Sequence, residues 1–492
     1  MDYKSQNGLP EVENQFEQGL NNWIKKERQA VDLLSITGEL WFDRSVELVI
    51  FRRRLIDSSP NEILNHHMRA KIIIKRELSV GLTLALAQAI AAMDIAPSRL
   101  DLGRLGNEWL NEQEKYEDMN GFLNEKLKNF LGDDKCTFAP KDVVLYGFGR
   151  IGRLAARGLI SQTGTGKQLR LRAIVARSNG TDQLEKRAEL LRNDSIHGPF
   201  RGSITIDAEN ECLIINGQPV KIISADKPED VDYTAYDIHD ALIIDNTGVF
   251  RDREGLSRHL QAKGADRVLL TAPGKGDLPN VVYGINHDSV PDKEKIVSAA
   301  SCTTNAIVPV LKVLEDNLGI EFGHIETVHS YTNDQNLLDN IHKKYRRGRA
   351  AALNLVITET GAGSAVAKAL PELKGKLTGN AVRVPTPNGS LAILNLTFKK
   401  TTTKEAVNEM LRNASLFGDL VEQIEFSESY ELVSSDIVGN HHPSVVDGAA
   451  TIVSPSGNHA VIYIWYDNEF GYTHQVIRFA KHLAGVRRMT YY

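Results

Sequence analysis

Cys302 opens the run Cys302-Thr303-Thr304-Asn305 within the stretch AASCTTN. The chain has three cysteines, and the other two, Cys136 and Cys212, lie far away and form no CxxC pair. The odd number and wide spacing argue against a disulfide framework or a thiolate zinc site. A lone cysteine among hydroxyls and small residues suits a nucleophile if two conditions hold. It should sit at a helix N-terminus, which favours the thiolate, and a base should stand within reach. Strand-like KIVSAA precedes it and helix-like AIVPVLKVLEDNLG follows, so Cys302 falls at or near a helix start. His329, in TVHSYTNDQ, is the candidate base. On spacing alone, an inert Cys302 and a structural His329 remain equally open.

A second chemistry is written upstream. Gly147-Phe148-Gly149-Arg150-Ile151-Gly152 follows the strand-like DVVLY and opens the helix-like IGRLAARGLI. Gly147 permits a tight turn, Gly149 lets backbone approach a pyrophosphate, and Gly152 allows close helix–strand packing. The helix N-terminus adds N–H groups and partial positive charge for the phosphates. The next strand, LRLRAIV, ends at Ala176-Arg177-Ser178-Asn179-Gly180, with Asp182 slightly beyond. An NAD site places a carboxylate at that tip for the ribose 2′-OH, whereas a 2′-phosphate prefers a cation and a hydroxyl. Arg177 and Ser178 offer the latter pair. The alternative is that Arg177 is a solvated loop residue or stacks on adenine.

The elements around these residues predict more than one domain, since 492 residues exceed one ordinary core. Up to about residue 135, apolar residues such as Val46, Leu48, Val49 and Leu55 recur at helical spacing. Four or five helices and almost no strands are expected there. Ser58-Ser59-Pro60-Asn61-Glu62 reads as a stop followed by a capped start. Residues 132–135 mark the joint. Beyond it, strand-like runs at 142–146, 169–175, 241–245 and 267–271 alternate with helical stretches, which implies a parallel sheet. After residue 320 the runs HIETVHSYT, LAILNLTFKK and AVIYIWYD predict a larger, mainly antiparallel sheet. Residues 473–484 predict an amphipathic helix.

Net charge is -5, so there is no electrostatic case for nucleic acid or an anionic membrane. The start lacks a secretory signal. The longest apolar run, residues 80–93, is short of the roughly 20 residues of a membrane span. A cytoplasmic location is expected. His66-His67 and His441-His442 are adjacent pairs whose side chains point apart on a helix or strand, so no metal site is expected.

GFGRIGR, SCTTN, HSYTNDQ, ETGAGSAVAKALPELKGKLTG, RVPTPN and WYDNEFGY occur in this order within residues 142–492. Together they resemble the phosphorylating glyceraldehyde-3-phosphate dehydrogenases. The resemblance implies a Rossmann-type domain over residues 138–301 with the C-terminal helix of 469–492. It implies an α+β catalytic domain over 302–468, here preceded by an all-α extension over 1–135. It implies Cys302 as nucleophile and His329 as base, with NAD or NADP as cofactor. The cofactor would be held by Gly147, Phe148, Gly149, Arg150, Ile151, Gly152, Arg177, Ser178 and Thr247, with Asn468 on the nicotinamide carboxamide. The phosphate of glyceraldehyde 3-phosphate would meet Thr332, Asp334, Arg347 and Arg383. Attacking inorganic phosphate would meet Ser301, Thr303, Thr360 and Gly361, with Arg383 near both. A homotetramer is also implied.

The chain departs from the family pattern in several places. The family usually has Asn-Asp where Arg177-Ser178 stand, and many NAD-preferring members have Leu-Pro where this chain has Asn340-Ile341 after Asp339. Both changes fall where the 2′ position is read, so NADP or dual use stands beside NAD. The second cysteine that usually follows SCTTN is Ala306 here. The extension has no phosphate loop; packing, oligomerisation or docking are the roles open to it. Another phosphorylated aldehyde such as erythrose 4-phosphate is the alternative substrate, and Thr332 favours the triose. A binding protein with a vestigial site is the alternative of another class, opposed by the intact Cys302, His329, Arg383 and Asn468.

Overall fold

Ser59 and Glu62 set the start of a helix by satisfying each other's backbone. Glu62 N–H donates to Ser59 Oγ at 3.2 Å and Ser59 N–H donates to Glu62 Oε2 at 2.7 Å. This reciprocal cap begins the helix Pro60–Ile74, as the sequence predicted. A computed structural model describes residues 10–132, 138–177 and 183–492. Cys136, Ser178 and Asp182 lie outside the described residues. The chain divides into two units: Met1–Phe138 with Arg488–Tyr492, and Ala139–Arg487.

In the first unit the long helix Pro10–Arg44 buries Ala30, Leu33, Thr37, Leu40 and Trp41, a stripe with helical spacing. The apolar run at 80–93 forms the helix Val80–Ala92, which buries Val80, Leu84, Leu86, Ala87 and Ile90. His67 is buried and bonded to Ile63 O and to the Thr83 hydroxyl, both at 2.8 Å. It is a satisfied core histidine.

A small sheet accompanies these helices, where almost no strands were expected. Its strand order is Arg53–Arg54, Glu47–Ile50, Ser98–Asp101 and Met489–Tyr491. Glu47–Ile50 is buried at every position, so its apolar run shows no period of two. A short run of that kind is indistinguishable from a helix turn by pattern. The last strand pairs parallel with Ser98–Asp101. Arg488–Tyr492 therefore belongs with the first unit, not with the dinucleotide-binding domain to which sequence attached all of 469–492. Tyr491 Oη donates to Glu108 Oε2 at 2.5 Å, and the Arg104 guanidinium lies 4.7 Å from the Tyr491 ring centre.

The second unit contains two eight-stranded sheets, the second of them with Ile452–Val453 as a side strand. In the first sheet the parallel order runs Ile296–Ser298, Ala265–Leu270, Ala241–Asp245, Lys141–Tyr146, Leu169–Ala176 and Gln218–Ser224. An antiparallel edge of Cys212–Ile215 and Ile204–Asp207 completes it. The second sheet centres on Ile320–Ser330, flanked by Leu377–Val384 in parallel and Ser390–Phe398 antiparallel. His459–Tyr466 pairs next to Ser390–Phe398.

The helix Cys302–Leu318 is buried along most of its length. Its Ile307, Val310, Leu311 and Leu314 share one core with Ile325, Leu394 and Ile462 of the second sheet. Each such side chain contributes about 1.5–3 kcal/mol on burial. The hydrophobic core thus fixes the helix start, and Cys302 with it. No helix among the described residues is long and apolar enough to cross a membrane.

Candidate active site

The segment before Cys302 is held at every residue. Ala300 takes a left-handed backbone (φ 55°), uncommon for a residue with a Cβ. Its carbonyl accepts from Tyr472 Oη at 2.9 Å. Asn305 Nδ2 donates to Ala299 O at 2.8 Å and Ser301 O at 2.9 Å, which ties the loop to the first helical turn. Ser301 Oγ caps the helix by accepting from Thr304 N–H at 3.0 Å. Cys302 is the first helical residue, as the flanking patterns predicted.

Strand register supplies its partner. His329 and Arg383 are opposite residues of the parallel pair Ile320–Ser330 and Leu377–Val384. His329 Nε2 stands 3.6 Å from Cys302 Sγ. His329 Nδ1 lies 2.7 Å from Ser330 O, and Arg383 Nη1 donates to the same oxygen at 2.8 Å. Arg383 Nη1 also stands 3.0 Å from Nδ1. In the tautomer with Nδ1–H given to the Ser330 carbonyl, Nε2 is the acceptor facing the thiol. Burial, and then the Arg383 charge, push the His329 pKa down to about 3. The imidazole is therefore neutral. Burial also pushes the Cys302 thiol up, against the pull of Arg383 and of the N–H groups at the helix start. Sequence anticipated only the lowering effect of the helix start; the packed surroundings oppose it. Cys302 as a residue is half-buried.

Tyr466 completes this cluster and was not anticipated, although it lies inside the WYDNEFGY motif. Its Oη is 3.0 Å from Thr303 Oγ1 and 2.7 Å from Thr327 Oγ1, and its ring meets His329 edge-on at 5.9 Å. Thr303 is thereby engaged with Tyr466. Asn468 joins by another route: Ser390 Oγ donates to Asn468 Oδ1 at 2.8 Å and accepts from Ser330 N–H at 3.1 Å. Among the described residues, the Asn468 amide N–H groups remain as donors.

The basic residues form an adjoining cluster. Arg383 Nη1 reaches Thr332 Oγ1 at 3.4 Å, and Arg347 pairs with Asp334. Arg347 Nε and Nη2 both donate to Thr358 Oγ1, at 3.1 and 2.9 Å, a contact with no sequence signature. Arg347, Thr358, Thr360 and Gly361 line an open cavity of about 970 Å³. Ser301 stays at the helix cap, and no hydrogen bond joins it to Thr360 among the described residues.

The glycine loop has the shape that a dinucleotide requires. Gly147 has φ 97°, and a Cβ there would meet Thr247 Cγ2 at 2.9 Å. A Cβ on Gly152 would stand 2.3 Å from Gly147 O. A Cβ on Gly149 would meet nothing within 4 Å, so that face of the loop is open at the start of the helix Arg150–Ser161. These residues fit a pyrophosphate. Gly147, Phe148, Arg177 and Thr247 line a cavity of about 420 Å³, with Arg187 and Asp226. Thr247 is fixed by two 2.7 Å bonds from its N–H and Oγ1 to Asp245 Oδ1. Ile151 sits in the first helical turn. The Arg150 guanidinium, by contrast, is spent on Glu469 (2.6 and 2.7 Å) and Asp194 (3.0 and 3.1 Å). Only its backbone remains for a cofactor.

Known proteins agree with this geometry. Residues 141–253 match the glyceraldehyde 3-phosphate dehydrogenase NAD binding domain, and residues 301–468 match the C-terminal domain of the same family. The chain is 51% identical over 457 residues to a glyceraldehyde-3-phosphate dehydrogenase-like protein of Pseudomonas aeruginosa, covering 92% of this chain and 98% of that one. It is 40% identical over 343 residues to glyceraldehyde-3-phosphate dehydrogenase of Zymomonas mobilis, covering 70% and 98%. It is 43% identical over 344 residues to glyceraldehyde-3-phosphate dehydrogenase 2 of a Nostoc species, again covering 70% and 98%. The Pseudomonas similarity spans more than the two family domains and so reaches into the extension. The chain belongs to the glyceraldehyde 3-phosphate dehydrogenase family and is an NAD(P)-dependent oxidoreductase.

Proposed function

We propose that the protein oxidises glyceraldehyde 3-phosphate with inorganic phosphate to the acyl phosphate 1,3-bisphosphoglycerate. The observation that carries this reading is the 3.6 Å approach of His329 Nε2 to Cys302 Sγ, with Arg383 behind the imidazole. Cys302 Sγ bonds to the aldehyde carbon as the thiol proton passes to the carbonyl oxygen through His329, giving a thiohemiacetal. His329 then accepts the hydroxyl proton; a dinucleotide held at the glycine loop would take the hydride, and a thioester would remain on Cys302. A phosphate oxygen attacks the thioester carbonyl, the carbon–sulfur bond breaks, and the departing thiolate regains its proton from His329. A low pKa makes protonated His329 a ready donor at that last step.

Arg383, Thr332 and Arg347 would hold the substrate phosphate, with Asp334 aligning the Arg347 fork. Thr360 and Gly361 would receive the attacking phosphate. Gly147, Gly149, Gly152 and Thr247 would hold the dinucleotide, and Asn468 its carboxamide. The large exposed side chains Leu337, Leu338, Ile341 and Tyr345 support assembly into the family's homotetramer. Three cysteines far apart, in no CxxC pair, support a reducing, cytoplasmic location. The test is reduction of NAD and NADP with this triose, with and without phosphate, and with erythrose 4-phosphate as comparator. Phosphate-dependent reduction with the triose is expected; its absence with both cofactors would contradict the reading.

A further inference from the structure

We propose that the dinucleotide cavity is built for a 2′-phosphorylated cofactor, and that Arg187 binds the 2′-phosphate together with Arg177. The inference rests on the dinucleotide reading of that cavity and goes on to its chemistry. The sheet order places the parts: Thr247, Gly147, Arg177 and Asp226 follow the C-terminal ends of four neighbouring strands, in that order across the sheet. The glycine loop marks the pyrophosphate. The strand next to it, Leu169–Ala176, ends where the adenosine ribose lies in this fold.

In the sequence the strand runs into Arg177-Ser178-Asn179-Gly180, with no carboxylate at the tip and Asp182 slightly beyond. The described chain offers Arg177, and from the helix Gln183–Arg192 it offers Arg187. Arg187 Nη2 donates to Arg177 O at 3.2 Å and to Gln183 Oε1 at 2.5 Å, so the guanidinium is held against the loop. Its Nε is buried and has no hydrogen-bond partner among the described residues. No ion pair with a carboxylate joins it among the described residues, unlike Arg150 and Arg192 in the same region. A guanidinium held half-buried by neutral groups alone, with a donor unused, is the arrangement an anion completes. Asp226 is the only acidic side chain among the described residues lining the cavity, against two arginines. The surplus is positive, which suits a phosphate and not a neutral hydroxyl.

The test uses the full chain and measures binding rather than turnover. Isothermal titration with adenosine 2′,5′-bisphosphate and with 5′-ADP compares the same nucleoside with and without the 2′-phosphate. The wild type is expected to prefer the bisphosphate by about 10- to 100-fold, the scale of charged hydrogen bonds. Arg187→Ala is expected to remove most of that preference and to leave 5′-ADP binding unchanged, with Arg187→Lys restoring part of it. Equal affinity of the wild type for both nucleotides would overturn the proposal while leaving the dinucleotide site standing. Equal weakening of both by Arg187→Ala would reduce Arg187 to a loop support and overturn it too. If neither nucleotide bound, the dinucleotide reading itself would fall.

Discussion

His329 Nε2 lies 3.6 Å from Cys302 Sγ while its Nδ1 faces the Ser330 carbonyl at 2.7 Å. The two ring nitrogens therefore have separate roles, one anchored to the backbone and the other turned to the thiol. His329→Asn keeps a side chain of similar reach but loses the basic nitrogen. It is expected to lower kcat/KM by about 100- to 10,000-fold, the range for loss of general base catalysis. Cofactor affinity, measured by titration, should stay unchanged.

The burial and positive neighbours that push His329 down to about 3 also set a pH dependence. Between that value and the ordinary histidine range, the unfolded chain binds a proton that the folded chain does not. Stability therefore falls as pH drops through this window. In nitrogen-detected NMR, His329 is expected to remain neutral from pH 8 to about 4. Arg383→Leu removes the nearest positive charge and should move its titration upward.

Thr358 receives both Arg347 Nε and Nη2. It is a positioning residue, with its effect exerted through the guanidinium. Thr358→Val is expected to raise KM for the triose phosphate roughly 3- to 10-fold, the loss of about one hydrogen bond, with kcat little changed. Thr358→Ser should recover the wild-type KM. A matching fall in kcat and unchanged KM would assign Thr358 to the chemical step instead.

Gly152→Ala would place a methyl 2.3 Å from Gly147 O. The loop must shift, at a cost of about 1–3 kcal/mol. Dinucleotide binding by calorimetry should weaken along with thermal stability. Gly149→Ala meets no protein atom, so it should leave thermal stability nearly intact and weaken only the nucleotide.

The site was legible where one local pattern sets one position. The strand–glycine–helix run gave the loop its place, and the strand and helix flanking SCTTN put Cys302 at a helix start. The capped start at Ser59 was readable for the same reason. Contacts made through sheet register were not: His329 meets Arg383 only because residues 54 apart are opposed on parallel strands. Tyr466 and Thr358 act through contacts that no spacing announces. Arg187 lies on a charged helix, where nothing in the pattern separates it from its solvated neighbours. The small sheet of the first unit was missed because Glu47–Ile50 is buried on both faces. Its fourth strand, Met489–Tyr491, comes from the far end of the sequence.

That last strand yields its own expectation. Tyr491→Phe deletes the bond to Glu108 Oε2 and leaves a carboxylate short of one donor. Stability of the first unit should fall by about 1 kcal/mol in chemical denaturation, with dehydrogenase activity unchanged.

The central claim is that oxidation proceeds through a thioester on Cys302. Mass spectrometry of the enzyme mixed with glyceraldehyde 3-phosphate and oxidised cofactor, without inorganic phosphate, tests it most directly. The expected result is the mass of one phosphoglyceroyl group on the peptide that carries Cys302, removed when phosphate is added and absent from Cys302→Ser. Cofactor reduction with no adduct on that peptide, or an adduct that survives phosphate, would contradict it.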